Sequence, residues 1–320
     1  MTCMQGFDVF LKALSPMALG TAPFGTRISR EMAFSILDAY VDCGGNLLDT
    51  AAVYGMGVSE QTIGDWMKQR GTRSKVTIST KGGHPSVPDW KRRITEVDIR
   101  YDMECSLQYL QTDCVEIYFL HRDDKSKPVE EIMPVLDQLV REGKTQYIGA
   151  SNWTVARINE ANDFAHKNGL TAFSFSQIFW NGACINKEGV YDPTLVPMDD
   201  VEHVGYAANG MPVMAYTAQA QGLFSHIRDK GYEGLSDGLV RTYINPKTRA
   251  RAERILTLSS ETGISPTAIS LAYLLYDKEV KAYPILGISR PERLSEAMQV
   301  FDLKEADLQK LLSEDMSNND

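Results

Sequence analysis

The sequence predicts an α/β protein of the (β/α)8 TIM barrel class, folded as a single domain over residues 1–320. Two observations lead to this prediction: eight short apolar segments alternate with stretches of helical spacing, and no linker-like or low-complexity stretch separates them. This alternation is typical of one (β/α)8 barrel. A chain of 320 residues could also hold two average domains, but single barrels routinely reach this size.

The eight apolar segments are predicted to form parallel strands. They lie at residues 17–22, 45–50, 75–80, 114–120, 145–151, 173–179, 211–217 and 282–288. Several are apolar throughout instead of alternating between apolar and polar residues, as expected of strands buried on both faces. The segments therefore indicate a parallel sheet that is covered on both sides.

Helices are predicted where apolar residues recur every three or four positions. Ile63, Trp66 and Met67 form one such stripe, and Ile99, Met103 and Leu107 belong to the next. The predicted helices lie at 59–70, 96–110, 129–141, 154–166, 201–209, 250–261, 266–277 and 304–313, and a further one starts at Pro291. Most follow a predicted strand, as the barrel requires.

A doubly wound parallel sheet is the main alternative to the barrel. Such a sheet normally carries a G-x-G-x-x-G dinucleotide motif directly after its first strand. The segment at 17–22, MALGTA, is not followed by this motif. The sequence therefore favours the barrel.

Composition narrows the class of protein. Hydrophobic residues make up 43% and charged residues 23%, which is ordinary for a soluble globular protein. The net charge of −9 argues against nucleic acid as a partner, and no apolar run is long enough to span a membrane. The N-terminal residues do not read as a secretory signal, and the five cysteines are scattered without CxxC pairs. We therefore expect a cytoplasmic protein without a disulfide framework or a structural metal.

Ionisable side chains stand at the carboxyl ends of consecutive predicted strands, where barrel enzymes carry their chemistry. Asp49 ends the second strand and Tyr54 follows closely, in the stretch LLDTAAVYGMG at 47–57. Lys81 follows the third strand, and His121 follows the fourth. Any one of these could be a structural group at the rim of the barrel. The four together predict an active site.

The chemistry of this set is that of a proton donor to a carbonyl group. A tyrosine hydroxyl has a pKa of about 10 and is a weak acid at neutral pH. A neighbouring lysine ammonium lowers that pKa, and a carboxylate holds the lysine in place. A neutral histidine can donate a hydrogen bond to a carbonyl oxygen as negative charge develops there. Because none of the four residues can donate hydride, reduction would require a bound cofactor.

The segments that carry these residues resemble the signatures of the aldo-keto reductase family. GGNLLDTAAVYG at 44–55 resembles the first signature, and SLQYLQTDCVEIYFLH at 106–121 resembles the second. IGASN, AYTAQAQGLF and PILGISRPERLSEA resemble the cofactor-binding segments. The resemblance covers essentially the whole chain. It implies a TIM barrel that binds NAD(P)H without a Rossmann fold, with a catalytic tetrad of Asp49, Tyr54, Lys81 and His121.

The resemblance also implies the residues that bind the cofactor, NADP(H), with NAD(H) as the alternative. They are Thr21, Ser151, Asn152, Gln177, Tyr216, Thr217, Gln219, Gly287, Ser289 and Arg293. In the family, residues at 151, 152 and 177 bind the nicotinamide carboxamide, and an aromatic residue at 216 stacks on its ring. Those at 217 and 219 contact the pyrophosphate, and the last three contact the adenosine phosphates. The family often has Glu-Asn at the end of this segment, whereas Glu296 is here followed by Ala297, which predicts a weaker adenine contact.

The implied function is reduction of a small-molecule carbonyl compound, an aldehyde, a ketone or a sugar-like substrate, with Tyr54 as the general acid. Two alternatives remain: a subunit that binds NADP(H) to regulate a partner, and a barrel lyase or epimerase that uses the same residues for proton transfer. Aromatic residues near strand ends and in long loops are candidates for the substrate pocket: Phe24, His84, Trp90, Trp153, Trp180 and Tyr243. The short polar end at 317–320 predicts an open pocket, which would suit bulky or sugar-like substrates.

Overall fold

Eight parallel strands form a closed barrel and follow one another around it in chain order. The computed structural model describes residues 3–312, so the predicted polar end at 317–320 lies outside the described residues. The strands are β1 (Ala18–Gly20), β2 (Leu47–Asp49), β3 (Thr77–Gly82), β4 (Val115–Leu120), β5 (Thr145–Ser151), β6 (Phe175–Phe179), β7 (Val213–Tyr216) and β8 (Ala282–Gly287). Each lies within or next to a predicted segment, and the predicted TIM barrel is confirmed. The extent of a single domain over 1–320 stays a prediction.

The helices of the described residues surround these strands in sequence. They are α1 (Cys3–Ala13), α2 (Arg30–Asp42), α3 (Val58–Arg70), α4 (Glu96–Leu110), α5 (Val129–Arg141), α6 (Val155–Asn168), α7 (Asp200–Asn209), α8 (Leu223–Lys230), α9 (Asp237–Tyr243), α10 (Pro246–Thr262), α11 (Pro266–Leu275), α12 (Pro291–Met298) and α13 (Glu305–Leu312). Within residues 3–312, no helix is both long enough and apolar enough to cross a bilayer.

Four of these helices, α1, α2, α8 and α9, were not predicted from the sequence. The signal for α2 was present, because Ser29 caps its first turn by accepting a hydrogen bond from the Met32 amide at 3.3 Å. Phe34, Ile36, Leu37 and Tyr40 then bury one face of the helix. A serine followed by apolar residues at helical spacing is a start signal that could have placed α2.

The chain divides into two compact units, one of which carries β1–β5 and the other β6–β8. The first unit runs to Ser151 and adds Asn159–Ser174 and Ile288–Pro291. The second contains Asn152–Ile158, Phe175–Gly287 and the residues from Glu292 onward. The two groups of residues discussed below are described within these units.

The strands of the first unit pair in a register that brings the predicted ionisable residues to one end. Asp49 in β2 is opposite Ser79 in β3, and Lys81 in β3 is opposite Phe119 in β4. The strand interiors are fully buried, as the continuous apolar segments indicated; Leu48 and Ile78 have no exposed surface. His121 directly follows β4, and its backbone amide donates to the Gly82 carbonyl at 2.8 Å.

Candidate active site

A buried ion pair between Lys81 and Asp49 forms the centre of the candidate site. Lys81 Nζ donates to Asp49 Oδ2 and to the Thr50 carbonyl oxygen, each at 2.7 Å. Ser79 Oγ donates to the other carboxylate oxygen, Asp49 Oδ1, at 3.1 Å. The Lys81 side chain has no exposed surface, and that of Asp49 is 4% exposed. The ammonium is therefore held at a fixed point by a carboxylate that is itself hydrogen-bonded.

Tyr54 lies beside this ammonium on a tight turn after β2. Lys81 Nζ lies 5.1 Å from the centroid of the Tyr54 ring. The turn continues through Gly55, Met56 and Gly57, all with positive φ. A Cβ atom at Gly57 would lie 2.3 Å from the Tyr109 ring, so only glycine fits there. The small residues after Tyr54 thus allow the chain to turn sharply into α3.

The pKa of the Tyr54 hydroxyl depends on opposing influences. Desolvation by burial raises the pKa of Tyr54, the Lys81 ammonium lowers it, and the Asp49 carboxylate raises it. The net pKa of Tyr54 is above its usual value. The expected influence of Lys81 is therefore present, but the expectation that it lowers the net pKa is wrong, because burial outweighs one nearby cation.

His121 stands against the edge of the Tyr54 ring in a T-shaped arrangement, with ring centroids 5.8 Å apart. Burial, together with the charges of Lys81, Arg122 and His84, holds the pKa of His121 well below its usual range. The imidazole is therefore neutral at physiological pH, which agrees with its predicted role as a neutral hydrogen-bond donor.

Two further aromatic rings extend outward from His121. The His84 ring lies edge-on to His121 with centroids 4.8 Å apart, and the Trp90 ring lies 5.9 Å from His84. Trp90 is 52% exposed. We call His84, Trp90 and His121 the aromatic wall. Both outer residues were candidates for the substrate pocket, and the structure brings them into line with the histidine of the predicted tetrad.

In the second unit, the residues predicted to hold the nicotinamide are brought together around Tyr216. The Tyr216 hydroxyl donates to Asn152 Oδ1 at 2.6 Å, and the Phe179 ring stacks on the Tyr216 ring at 5.5 Å. The Asn152 amide donates to the Gln177 carbonyl at 2.9 Å, and both side chains are buried. The Tyr216 ring is partly exposed and is held from behind by Phe179 and at its hydroxyl by Asn152.

The residues predicted to meet the phosphates also fall mainly in this unit. Gln219 Oε1 accepts a hydrogen bond from the Gly287 amide at 2.9 Å, which ties the loop after β7 to the end of β8. Thr217 lies in that loop with a positive φ of 55°. Arg293, in α12, is 51% exposed at its side chain, and its Nη1 donates to Glu296 Oε2 at 2.5 Å. Glu296 Oε1 also accepts from Ser265 Oγ at 2.7 Å.

Three predicted cofactor residues lie in the first unit. Thr21 is fully buried, and its hydroxyl donates to the Asp49 carbonyl oxygen at 2.9 Å, so its observed contact holds the end of β2. Ser151 is the buried last residue of β5, and Ser289 is exposed just before α12. Ala297 is 1% exposed inside α12, which explains why it offers no adenine contact.

Sequence reasoning missed two side chains next to the ion pair. Ser79 binds Asp49, as described above, and Glu60 in α3 accepts a hydrogen bond from Thr80 Oγ1 at 2.5 Å. The position of Glu60 was detectable, because it lies three residues before Ile63 and seven before Met67, on the apolar stripe of α3. A glutamate on such a stripe is predicted to be buried.

Comparison with known proteins agrees with this geometry. The model of the aldo/keto reductase family matches residues 16–313. A norsolorinic acid reductase of Aspergillus flavus is 30% identical over 305 residues, covering 91% of this chain and 74% of that protein. An aryl-alcohol dehydrogenase of Pestalotiopsis microspora is 30% identical, covering 91% and 76%. A putative aryl-alcohol dehydrogenase of Saccharomyces cerevisiae is also 30% identical, covering 91% and 80%. The chain therefore belongs to the aldo-keto reductase family of oxidoreductases.

Proposed function

We propose that the protein reduces carbonyl compounds to alcohols with NADP(H), and that Tyr54 is the general acid. The observation that carries this proposal is the Lys81 ammonium, which Asp49 and the Thr50 carbonyl hold beside the Tyr54 ring. A fixed cation stabilises the phenolate that remains after Tyr54 gives up its proton. Neutral His121 donates a hydrogen bond to the carbonyl oxygen and stabilises its developing charge.

The chemistry of the side chains in the second unit fits a nicotinamide cofactor. Asn152 and Gln177 carry amide groups that suit a carboxamide, and the partly exposed Tyr216 ring offers a flat face for stacking. Arg293 supplies an exposed guanidinium for a phosphate. When bound, the cofactor supplies the hydride that no side chain can supply. The chain's own residues orient it and hold the proton at Tyr54.

A direct turnover assay tests the proposal. Aldehydes, ketones and oxidised sugars are supplied with NADPH or NADH, and nicotinamide absorbance is followed. Net consumption of NADPH with a carbonyl substrate supports reduction and excludes a lyase or epimerase as the sole activity. Binding of NADPH without turnover of any carbonyl compound would instead support a regulatory subunit.

Arg293 is the basis for the proposed preference for NADP(H), which differs from NAD(H) by a 2′-phosphate. A guanidinium makes charge-assisted hydrogen bonds to phosphate. Since Arg293 is half-exposed and shares its charge with Glu296, we expect Arg293→Ala to weaken NADPH binding about tenfold to a hundredfold and leave NADH binding nearly unchanged. Fluorescence titration with both cofactors measures this.

A matched control for Arg293→Ala is Arg228→Ala, which removes another exposed arginine that pairs with a neighbouring carboxylate, Asp229. This control should leave both affinities unchanged. Equal loss of NADPH and NADH binding in Arg293→Ala, or a wild type that favours NADH, would contradict the assignment.

We further propose aromatic carbonyl compounds as the substrate class. The names of the relatives, norsolorinic acid reductase and aryl-alcohol dehydrogenase, point to aromatic compounds for those proteins. In this chain the aromatic wall offers ring faces and edges next to His121. Aromatic pairs contribute about 0.5–1.5 kcal/mol beyond the area they bury. A planar aryl group would therefore bind better here than a sugar.

Replacing Trp90 with alanine should raise KM for an aromatic aldehyde about threefold to tenfold, because one stacking partner is lost. KM for a short aliphatic aldehyde should stay the same, and kcat should change little for either. The variant Trp90→Phe retains a ring and is expected to retain most of the aromatic preference. If sugars are reduced more efficiently than aryl aldehydes by the wild type, this substrate class is wrong.

A further inference from the structure

The two faces of β3 carry different polar networks on either side of its backbone. Ser79 and Lys81 point to Asp49, as described above. Thr80, between them, points the opposite way and donates to Glu60 in α3. Glu60 thus lies directly behind the strand that carries the catalytic ammonium. It has no exposed surface.

Glu60 differs from the other carboxylates around β3 in having no cation of its own. Asp49 pairs with Lys81, Asp102 in α4 pairs with Arg93 at 2.6 Å, and Glu116 in β4 pairs with Arg73 at 2.8 Å. Within residues 3–312, Glu60 forms no salt bridge, and its Oε2 atom has no hydrogen-bond partner within 3.5 Å. A buried carboxylate without a counter-ion is costly, so such a group tends to keep its proton.

We propose that Glu60 is a proton-binding positioning residue, and that its charge, acting through Lys81, adjusts the acid strength of Tyr54 near neutral pH. The proposal rests on the proposed function, because it concerns the same proton donor. Protonated Glu60 leaves the Lys81 ammonium to favour the Tyr54 phenolate. Ionised Glu60 places a second negative charge near that ammonium and opposes the phenolate, so Tyr54 becomes a weaker acid.

The charged and titratable groups that face Glu60 come from three neighbouring elements. Lys81 in β3 lowers the pKa of Glu60, and Asp102 in α4 raises it, while Tyr118 in β4 is close enough for Glu60 to raise its own pKa. The hydroxyls of Thr80 and Ser106 lower the pKa of Glu60. Burial is the largest influence, and the pKa of Glu60 is raised from 4.5 to about 7. Glu60 therefore changes charge in the physiological range.

The variant Glu60→Gln keeps an acceptor for Thr80 but cannot ionise. For the wild type we expect kcat for carbonyl reduction to fall about twofold as the pH rises through about 7, because Tyr54 becomes a weaker acid. In Glu60→Gln this step should vanish, and the alkaline limb of kcat should move about half a pH unit lower. Thr80→Val removes a hydrogen bond that favours ionised Glu60, so the step should move to higher pH.

Glu116→Gln is the matched control, since Glu116 Oε2 also holds β3, by accepting from the Ile78 amide at 2.7 Å. It should leave the pH profile of kcat unchanged. The same shift in Glu116→Gln as in Glu60→Gln would show that a loosened strand, and not the charge of Glu60, is responsible. A wild-type profile without a step near neutral pH would also overturn the proposal.

Thermal unfolding provides a readout that does not depend on catalysis. A carboxyl group whose pKa is higher in the folded state than in the unfolded state costs stability when it ionises, so this cost grows as pH rises from about 4.5 to about 7. The Tm of the wild type relative to Glu60→Gln should therefore fall between pH 5 and pH 8. A constant difference would show that Glu60 does not bind a proton in this range. If this shift is observed but no carbonyl compound is reduced, the proposed function fails while proton binding by Glu60 stands.

Discussion

Replacing Tyr54 with phenylalanine is expected to lower kcat for carbonyl reduction about a hundredfold or more. The variant retains the ring that lies 5.1 Å from Lys81 Nζ and loses only the hydroxyl. Without that hydroxyl, the alkoxide formed by hydride transfer has no positioned proton source. Steady-state kinetics with an aromatic aldehyde measure the loss, and fluorescence titration should give nearly unchanged NADPH affinity.

Retention of more than about a tenth of wild-type kcat by Tyr54→Phe would contradict the assignment of Tyr54 as the general acid, because general acid catalysis is worth more than this. Tyr109→Phe is a suitable control. Its ring lies next to the same turn, against Gly57, but it has no place in the proposed chemistry. This control should retain wild-type kcat.

Lys81→Met is expected to have the second large effect, on both activity and stability. Loss of the ammonium removes the influence that lowers the pKa of Tyr54, so that pKa rises further and Tyr54 becomes a weaker acid. The alkaline limb of kcat should therefore move to higher pH, and kcat at neutral pH should fall about a hundredfold. An alkaline limb that stays in place would show that Lys81 does not tune Tyr54.

The same substitution leaves Asp49 buried without its cation. Breaking a buried ion pair in this way costs about 3–5 kcal/mol of the free energy of unfolding. The double variant Asp49→Asn/Lys81→Met removes both charges and should recover most of this loss in chemical denaturation, while its kcat remains low. Recovery of activity in the double variant would contradict the role of Lys81. Asp49→Asn alone should lower kcat less, because the ammonium is still present.

Much of the fold could be predicted because the strands carry their own signal. A segment such as 114–120 is apolar throughout, and β4 (Val115–Leu120) lies within it. The same reasoning placed Asp49, Lys81 and His121 at neighbouring strand ends, since parallel strands bring their carboxyl ends to one edge. The structure places these side chains around Tyr54, as the sequence pattern indicated.

Other features depend on contacts that no local pattern encodes. The net pKa of Tyr54 is set by the balance between burial and two opposite charges, and sequence alone gives the charges but not the degree of burial. The pairing of Arg293 with Glu296, three residues later in α12, depends on side-chain orientation and on Ser265, which lies far away in sequence. For Glu60, the helical stripe predicted burial, but only the structure shows that Thr80 is its partner.

The alternation of side chains along β3 has a consequence for how this scaffold tolerates change. Ser79 and Lys81 project to one face and Thr80 to the other, so the strand supplies two polar networks in only three residues. Deleting or inserting one residue earlier in β3 would exchange the two faces and direct the ammonium toward the helices. Loops after the strands, such as the one with Trp90, can change in length without this exchange. Redesign of substrate choice in this protein therefore belongs in its loops, and β3 must keep its register.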